Sequence, residues 1–434
     1  MTLPSLSVVI PTHNRCGILP RTLGALATQT AAATDYEVIV VADGCRDETA
    51  VVVRSLPLPY AVRVIEQPAS GAAAARNRGA AAAVAPLVLF LDDDMEAEPQ
   101  LIASHLQAHR AHPGGVVLGY FRPSMLGRTD HLPTVMVNLW WAERFAEMAR
   151  PEYRFTFYDL YTGNVSLPRA LFDTAGGFEE DFFQRAGEDY ELGARLMKRR
   201  VRFRFVRDAA SVHHDLPTAD RSFRRAFAEG RGHVLLARKH PDLFAALPLR
   251  WLLSDPPPPG LRPLFRPGSW VGAVTSHALQ LPLRLAETLK LRRVWAGLHG
   301  LLHNRAYWRG VVEELGSWSN LQRFIQEMPL HPDPINELEL DVATQWPALE
   351  AILTDRHVDA LRLRYGDAAL GRIPPVPGAE PLRPAHVHHA LAHWFGYNLL
   401  TAVRQRELEE TANNRTPGLL RVVHTLGAGW PLGE

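Results

Sequence analysis

The chain has 434 residues, of which 47% are hydrophobic and 21% charged, and its formal net charge is +1. The length exceeds that of one ordinary domain, and the composition is that of a globular protein with a full core. The near-neutral charge, together with the lack of a basic stripe interleaved with aromatic residues, excludes nucleic acid as an expected partner.

Two cysteines, Cys16 and Cys45, indicate no disulfide framework. The first residues show neither the charged nor the apolar segment of a secretory signal. We therefore expect a cytoplasmic protein.

Two apolar runs near the amino terminus, residues 7–12 and 38–44, predict buried strands that end at one edge of a sheet. Helical patterns follow them over residues 18–26, 47–56 and, rich in alanine, 70–84. Strands and helices that alternate in this way predict a sheet with parallel strands and right-handed crossovers.

Three aspartates, Asp92, Asp93 and Asp94, directly follow the apolar run 88–91. A buried strand cannot contain them, so they are expected at its carboxyl-terminal edge, where open α/β sheets bind ligands. Divalent cations such as Mn²⁺ and Mg²⁺ prefer carboxylate oxygens, and an ion bound there would clamp a diphosphate. The alternative is an acidic, solvated turn.

A second acidic pair, Glu188 and Asp189, opens a predicted helix that ends in basic residues at 195–200. Acids at the start of a helix and bases at its end suit the helix dipole, which is one explanation of the pair. The other is catalysis, because a carboxylate can take a proton from an attacking hydroxyl. A last predicted strand over 201–206 returns the chain to the sheet edge, shortly before His213.

Taken in order, these motifs resemble family 2 glycosyltransferases with the GT-A fold over roughly residues 5–215. The resemblance implies a mixed, mainly parallel sheet flanked by helices. It also implies inverting transfer of a sugar from a nucleotide diphosphate donor, with UDP-sugar preferred, to a glycan, a lipid-linked or another hydroxyl acceptor. The motifs that carry it are residues 9–15, Asp43 with Gly44, residues 71–77, the three aspartates and residues 187–189.

The resemblance further implies roles for single residues. Asp94 and His213 would hold Mn²⁺ or Mg²⁺, with His214 as the other candidate histidine. Asp189 would be the general base, and Glu188 would order the loop or bind acceptor hydroxyls. The residues implied in donor binding are Pro11, Thr12, Asn14, Arg15, Asp43, Gly71, Arg76, Asp92 and Asp93.

The chain is expected to divide into a nucleotide-sugar domain over residues 1–218, a helical extension over 219–330 and a helical carboxyl-terminal region over 331–434. A proline-rich break is predicted at 255–260. Apolar residues between 291 and 302 share one helical face, which either packs on the catalytic domain or contacts the inner face of a membrane peripherally. No run of about 18 apolar residues predicts a membrane span.

Two other functions fit parts of this pattern. A noncatalytic scaffold could retain the fold to bind sugar nucleotides or glycans. A nucleotidyltransferase would need a glycine-rich, basic triphosphate loop, which the first strand lacks. Because Asp94 and Asp189 are both present, we favour a metal-assisted glycosyltransferase.

Overall fold

The computed structural model describes residues 3–123, 131–182, 185–215, 217–250, 270–329 and 335–412. The chain separates into two compact units, one of residues 1–149 with 155–331 and the other of residues 150–154 with 332–434. The helical extension predicted over residues 219–330 falls within the first unit. That it forms a separate domain remains a prediction. The predicted proline-rich break at 255–260 lies outside the described residues.

The first unit is built on an eight-stranded mixed sheet. Its strands are β1 (Leu6–Thr12), β2 (Tyr36–Asp43), β3 (Ala61–Gln67), β4 (Leu87–Leu91), β5 (Met95–Ala97), β6 (Val116–Pro123), β7 (Asn164–Pro168) and β8 (Phe203–His213). They lie in the order β3-β2-β1-β4-β7-β6-β8-β5. The first four strands in this order are parallel, as are β6 and β8, whereas β7 is antiparallel to both its neighbours and β5 is antiparallel to β8. The predicted mixed, mainly parallel GT-A sheet is confirmed.

Helices flank this sheet, which is why its central strands are apolar on both sides. Val8, Val9 and Leu89 are fully buried. Gly79 allows one helix to lie directly on β1, because a Cβ atom there would be 2.3 Å from Val9 Cγ1. Among its described residues, the α-helices of the unit are α1 (Leu19–Leu26), α2 (Thr49–Ser55), α3 (Ala72–Ala82), α4 (Leu101–Ala111), α5 (Leu132–Met148), α6 (Arg169–Ala175), α7 (Glu188–Lys198), α8 (Ala219–Lys239), α9 (Trp270–Thr288), α10 (Arg292–Leu315) and α11 (Trp318–Glu327).

Two strands differ from the sequence-based expectation in a way that matters for the site. Strand β8 continues past residue 206 to His213, because it pairs with β6 and with the short β5, where Met95 lies opposite His213. Residues 164–168, for which no strand was predicted, form β7 and pair with β4. Both differences bring side chains to the end of β4.

The second unit contains helices, as expected, and also a three-stranded sheet that was not predicted. Its strands are β9 (Glu337–Asp341), β10 (Ala360–Tyr365) and β11 (Ala368–Ile373), and they lie in the order β11-β10-β9, with β9 parallel and β11 antiparallel to β10. Leu361 and Leu363 of β10 alternate with Arg362 and Arg364 and are buried, which is the period-two signal that could have revealed the sheet. Its α-helices among the described residues are α12 (Val342–Gln345), α13 (Leu349–Arg356), α14 (Pro384–His389) and α15 (Gly396–Ala412).

The apolar face predicted between residues 291 and 302 divides between core and surface. Trp295 and Leu302 are buried in a cluster with Leu132 of α5 and with residues of α9. Leu291 and Val294 are about half exposed, at 46% and 52%. None of the helices that the structure describes combines the length and apolarity that crossing a bilayer requires.

Candidate active site

Asp43, at the end of β2, fixes the start of helix α3. One carboxylate oxygen accepts hydrogen bonds from the backbone N–H of Ser70 and from the side chain of Gln67, at 2.8 and 2.9 Å. The other accepts from the N–H of Gly71 at 2.8 Å. Gly71 precedes α3 with φ of 93°, a conformation that favours glycine. The predicted donor residues Asp43 and Gly71 are therefore in direct contact.

The end of β1 meets the end of β4 through buried side chains. Thr12 Oγ1 donates to Asp93 Oδ2 at 2.7 Å. Arg15 lies 3.7 Å from Asp93 and 3.9 Å from Asp94, measured between guanidinium nitrogen and carboxylate oxygen. Burial raises the pKa of Asp93 to about 6, opposed by the Thr12 hydroxyl and reinforced by the charge of Asp94. This part of the edge therefore holds an excess of acid that a cation could neutralise.

Asp94, in the turn directly before β5, faces His213 at the end of β8. His213 Nε2 is 3.2 Å from Asp94 Oδ1. Burial alone would raise the pKa of Asp94, but the hydrogen bond and charge of His213 lower it overall. The same hydrogen bond raises the pKa of His213 against the effect of burial. His214 instead contacts Glu96, with Nε2 and Oε2 2.6 Å apart, so His213 is the histidine that joins the aspartates.

These two side chains fit a divalent ion as a pair of ligands. Within the part of the chain that the structure describes, no group of three or more histidine, cysteine, aspartate or glutamate side chains is arranged to hold a metal. An ion bound through one carboxylate and one imidazole would need further oxygens. Mg²⁺ in nucleotide enzymes is often bound by one or two carboxylates together with phosphates and waters, so two protein ligands suit a site that the donor completes.

Arg76 joins the donor edge to the second acidic motif. From helix α3 its guanidinium reaches Asp92 Oδ1 at 3.1 Å and Glu188 Oε1 at 3.0 Å. The side chain is only 7% exposed and lies over the ring of Phe178, 5.5 Å from its centroid. Both outer nitrogens are thus engaged by carboxylates, and the predicted role of Arg76 in donor binding stays a prediction.

Asp189 lies next to Glu188 at the start of α7, after Gly187, whose φ is 114°. Its Oδ1 accepts a hydrogen bond from the N–H of Tyr190 at 2.9 Å. The pKa of Asp189 is raised to about 7, first by burial and then by the charge of Glu188, and the Tyr190 N–H and the charge of Arg76 only partly oppose this rise. Desolvation therefore outweighs the stabilising effect of the helix amino terminus, and the carboxylate is basic enough to accept a proton near neutral pH.

The remaining predicted donor residues lie beside these groups. Pro11 is in β1, opposite Val41 of β2. Asn14 adopts a φ of 55° and accepts a hydrogen bond from the N–H of Arg46 at 2.7 Å, which ties the loops after β1 and β2 together.

Two residues that are not among the predicted site residues also adjoin the site. Gly163 directly precedes β7 and lies close to Asp92. A Cβ atom at Gly163 would be 3.0 Å from Oδ2 of Asp92. The position of Gly163 in a small-residue run was the available signal. Arg225 of α8 lowers the pKa of Asp189 by its charge, and nothing in the sequence pattern relates the two residues.

Comparison with known proteins agrees with this geometry. Residues 7–176 match the family described as "Glycosyl transferase family 2", and residues 142–215 match the one described as "N-terminal domain of galactosyltransferase". The first match contains the predicted donor residues and Asp94, and the second contains Glu188, Asp189 and His213, so the site lies within the part of the chain that is similar to glycosyltransferases.

Individual relatives are similar to part of the chain. Validoxylamine A glucosyltransferase from Streptomyces hygroscopicus subsp. jinggangensis is 42% identical over 217 residues, which are 45% of this chain and 51% of the relative. Chondroitin synthase from Escherichia coli is 29% identical over 272 residues, 56% of this chain and 40% of the relative. The chain thus spans about half the length, or less, of these relatives.

Among solved structures, the mannosyltransferase PcManGT from Pyrobaculum calidifontis, in complex with GDP-Man and Mn²⁺, aligns with a TM-score of 0.46 at 19% identity. The alignment covers 74% of this chain and 88% of that one.

Proposed function

We propose that this chain transfers a sugar from a nucleotide diphosphate sugar, in the first instance a UDP-sugar, to a hydroxyl acceptor with inversion at the anomeric carbon. One observation carries the proposal. Arg76 contacts Asp92 at the predicted donor edge and Glu188 beside the predicted base, so both halves of a transfer reaction share one buried cation.

Asp189 acts as the general base. As the acceptor oxygen attacks the anomeric carbon from the face opposite the leaving diphosphate, the hydroxyl proton passes to the Asp189 carboxylate. A pKa of about 7 leaves this group largely ionised at slightly alkaline pH and still basic enough to take the proton. Glu188 holds Arg76 in place and adds negative charge that favours protonation of its neighbour.

The donor lies along the ends of β1, β2 and β4. Asp43 and Gly71 line the nucleotide side, together with Pro11, Asn14 and Thr12. Asp92 and Asp93 receive ribose and sugar hydroxyls, for which carboxylate oxygens are strong acceptors. Arg15 is 39% exposed in its side chain and can reach a phosphate oxygen while it remains near the aspartates.

Asp94 and His213 would hold Mn²⁺ or Mg²⁺. When bound, the ion supplies positive charge against the negative charge that develops on the leaving nucleoside diphosphate. Before the donor arrives, the Asp94–His213 hydrogen bond keeps both side chains directed at each other where β5 begins and β8 ends.

The raised pKa of Asp189 favours an enzyme over a noncatalytic scaffold. A binding protein gains nothing from a buried, basic carboxyl group, whereas catalytic bases are commonly tuned in this way. A scaffold would bind the same sugar nucleotides without releasing nucleoside diphosphate.

Release of nucleoside diphosphate from a panel of nucleotide sugars tests the proposal. One relative is named validoxylamine A glucosyltransferase, so the first substrates to assay are a nucleotide diphosphate glucose as donor and validoxylamine A as acceptor.

Asp189→Asn should abolish turnover while calorimetry still detects donor binding, and the exposed Glu143→Gln on α5 is the matched control. NMR of the product tests inversion. Donor binding without release in the wild type would favour the scaffold, and near-normal turnover of Asp189→Asn would move the base to another residue.

A further inference from the structure

Helix α9 carries an apolar stripe on its outer face. Val274, Leu281 and Leu285 recur at intervals of about two turns and one turn, and therefore lie on one side of the helix. Their exposed fractions are 59%, 75% and 55%. Leu283 and Ala286, on the opposite side, are buried against Trp295 and Leu302 of α10. The stripe is thus not the face by which the helix attaches to its own unit.

The stripe continues into the turn between α9 and α10. Leu289 and Leu291 flank Lys290, whose φ of 55° reverses the chain. The N–H of Leu291 donates to the carbonyl of Ala286 at 2.8 Å, which closes the end of α9 and fixes the turn. Leu289, Leu291 and Val294 are all about half exposed. We call residues 281–294 the α9–α10 tip.

Positive charge surrounds this apolar surface. The α9–α10 tip contains four basic residues, Arg284, Lys290, Arg292 and Arg293, and one acid, Glu287, although the whole chain has a net charge of only +1. Glu287 is half-buried and lies 3.0 Å from His131 Nε2, whereas Arg284, Arg292 and Arg293 are exposed beside the leucines. The tip therefore combines exposed apolar side chains with a local excess of cations.

We propose that the α9–α10 tip binds the surface of an anionic lipid bilayer. Leucine side chains that enter the boundary between headgroups and acyl chains, with arginine and lysine near the phosphates, are the pattern of helices that lie on a membrane rather than cross it. Exposed leucines offer no stacking surface to nucleic acid bases, and a purely apolar protein partner would leave the arginines without counter-charges. The contact is independent of sugar transfer.

Sedimentation with vesicles tests this surface in the full-length chain. Vesicles of equal parts phosphatidylglycerol and phosphatidylcholine are compared with vesicles of phosphatidylcholine alone, at low and high salt. The protein should sediment with the anionic vesicles, lose most of that binding at high salt, and bind the neutral vesicles at least tenfold more weakly, because each nearby cation contributes about a fivefold factor.

Two pairs of variants separate the apolar from the cationic contribution. Leu285→Gln with Leu289→Gln should weaken binding at least tenfold, and so should Arg292→Gln with Arg293→Gln. The matched controls are Leu400→Gln with Leu408→Gln and Arg323→Gln with Arg356→Gln, which change equally exposed residues elsewhere and should bind like the wild type. Circular dichroism confirms that each variant is folded.

Several outcomes would overturn the proposal. Absence of wild-type binding to anionic vesicles would do so, as would equal binding of the tip variants or an equal loss in the controls. If analytical ultracentrifugation shows a wild-type dimer that the leucine variant abolishes, and vesicles bind neither protein, a second copy of the chain covers the tip instead of lipid.

Discussion

The basicity of Asp189 predicts a specific dependence of activity on pH. A single group with a pKa of about 7 is about nine-tenths ionised near pH 8 and about one-tenth ionised near pH 6. Because the base acts when ionised, its titration should lower kcat/KM about tenfold between these two pH values, and protonation of Asp93, whose pKa is about 6, adds to the fall at the lower pH. An aspartate base with the ordinary value of 3.8 would be ionised throughout and would contribute nothing to the fall.

The structure also predicts how the profile moves when its cause is altered. Burial is the main source of the raised pKa of Asp189, and the charge of Glu188 is the second. Glu188→Gln removes that charge, so the midpoint of the kcat/KM profile should shift to lower pH, whereas the exposed Glu143→Gln should leave it in place. The assay is nucleoside diphosphate release at donor concentrations well below KM, with enzyme stability checked at each pH.

Two results would refute this reasoning. A wild-type profile that is flat from about pH 6 to about pH 8 would show that no base with a raised pKa limits the reaction. A midpoint near 7 that Glu188→Gln leaves unchanged would assign the titration to another group.

Three further substitutions test other parts of the site. Asp94→Ala should lower turnover about a hundredfold, which is equivalent to about 3 kcal/mol, and should remove the dependence of activity on added metal. Wild-type activity that survives exhaustive chelation would contradict this prediction. Arg76→Ala leaves two carboxylates without their cation and should lower the free energy of unfolding by about 3 kcal/mol in urea titration, whereas Arg78→Ala, exposed on the same helix, should change it little. Gly163→Ala forces a Cβ to within 3.0 Å of Asp92 Oδ2 and should raise KM for the donor more than it lowers kcat, and an unchanged KM would separate Asp92 from donor binding.

The sequence predicted the first half of the sheet well because its strands are apolar and end in polar residues. The strand predicted over residues 38–44 is observed as Tyr36–Asp43, and the one over 88–91 as Leu87–Leu91. Strand β3 was not predicted. It lies at the edge of the sheet, its positions are exposed or half-buried, and some of them carry charged residues, so it lacks a continuous apolar run. Strand β5 has only three residues and exists through its pairing with β8, which no local pattern reveals.

The order of the acidic motifs predicted which residues would gather, but it could not predict how they share their partners. The carboxylate of Asp43 was predicted to bind the sugar nucleotide. In the structure it already accepts three hydrogen bonds from its own chain, from Gln67, Ser70 and Gly71. Whether helix dipole or burial dominates at Asp189 was likewise open from sequence. The answer depends on which side chains surround α7, and these come from distant segments such as α8.

The bridge made by Arg76 has a consequence for donor binding. One positive charge is divided between Asp92 and Glu188, and Arg76 also stabilises the ionised form of Asp189. A donor that engages Asp92, as proposed, redistributes this charge and so alters the affinity of Asp189 for its proton. Thermodynamic linkage requires the reverse effect to be equal, so donor affinity must itself vary with pH. Donor titrations by calorimetry in buffers with different heats of ionisation should therefore detect proton exchange near neutrality in the wild type and clearly less in Asp189→Asn, in which Asp93, with a pKa of about 6, can still exchange a proton.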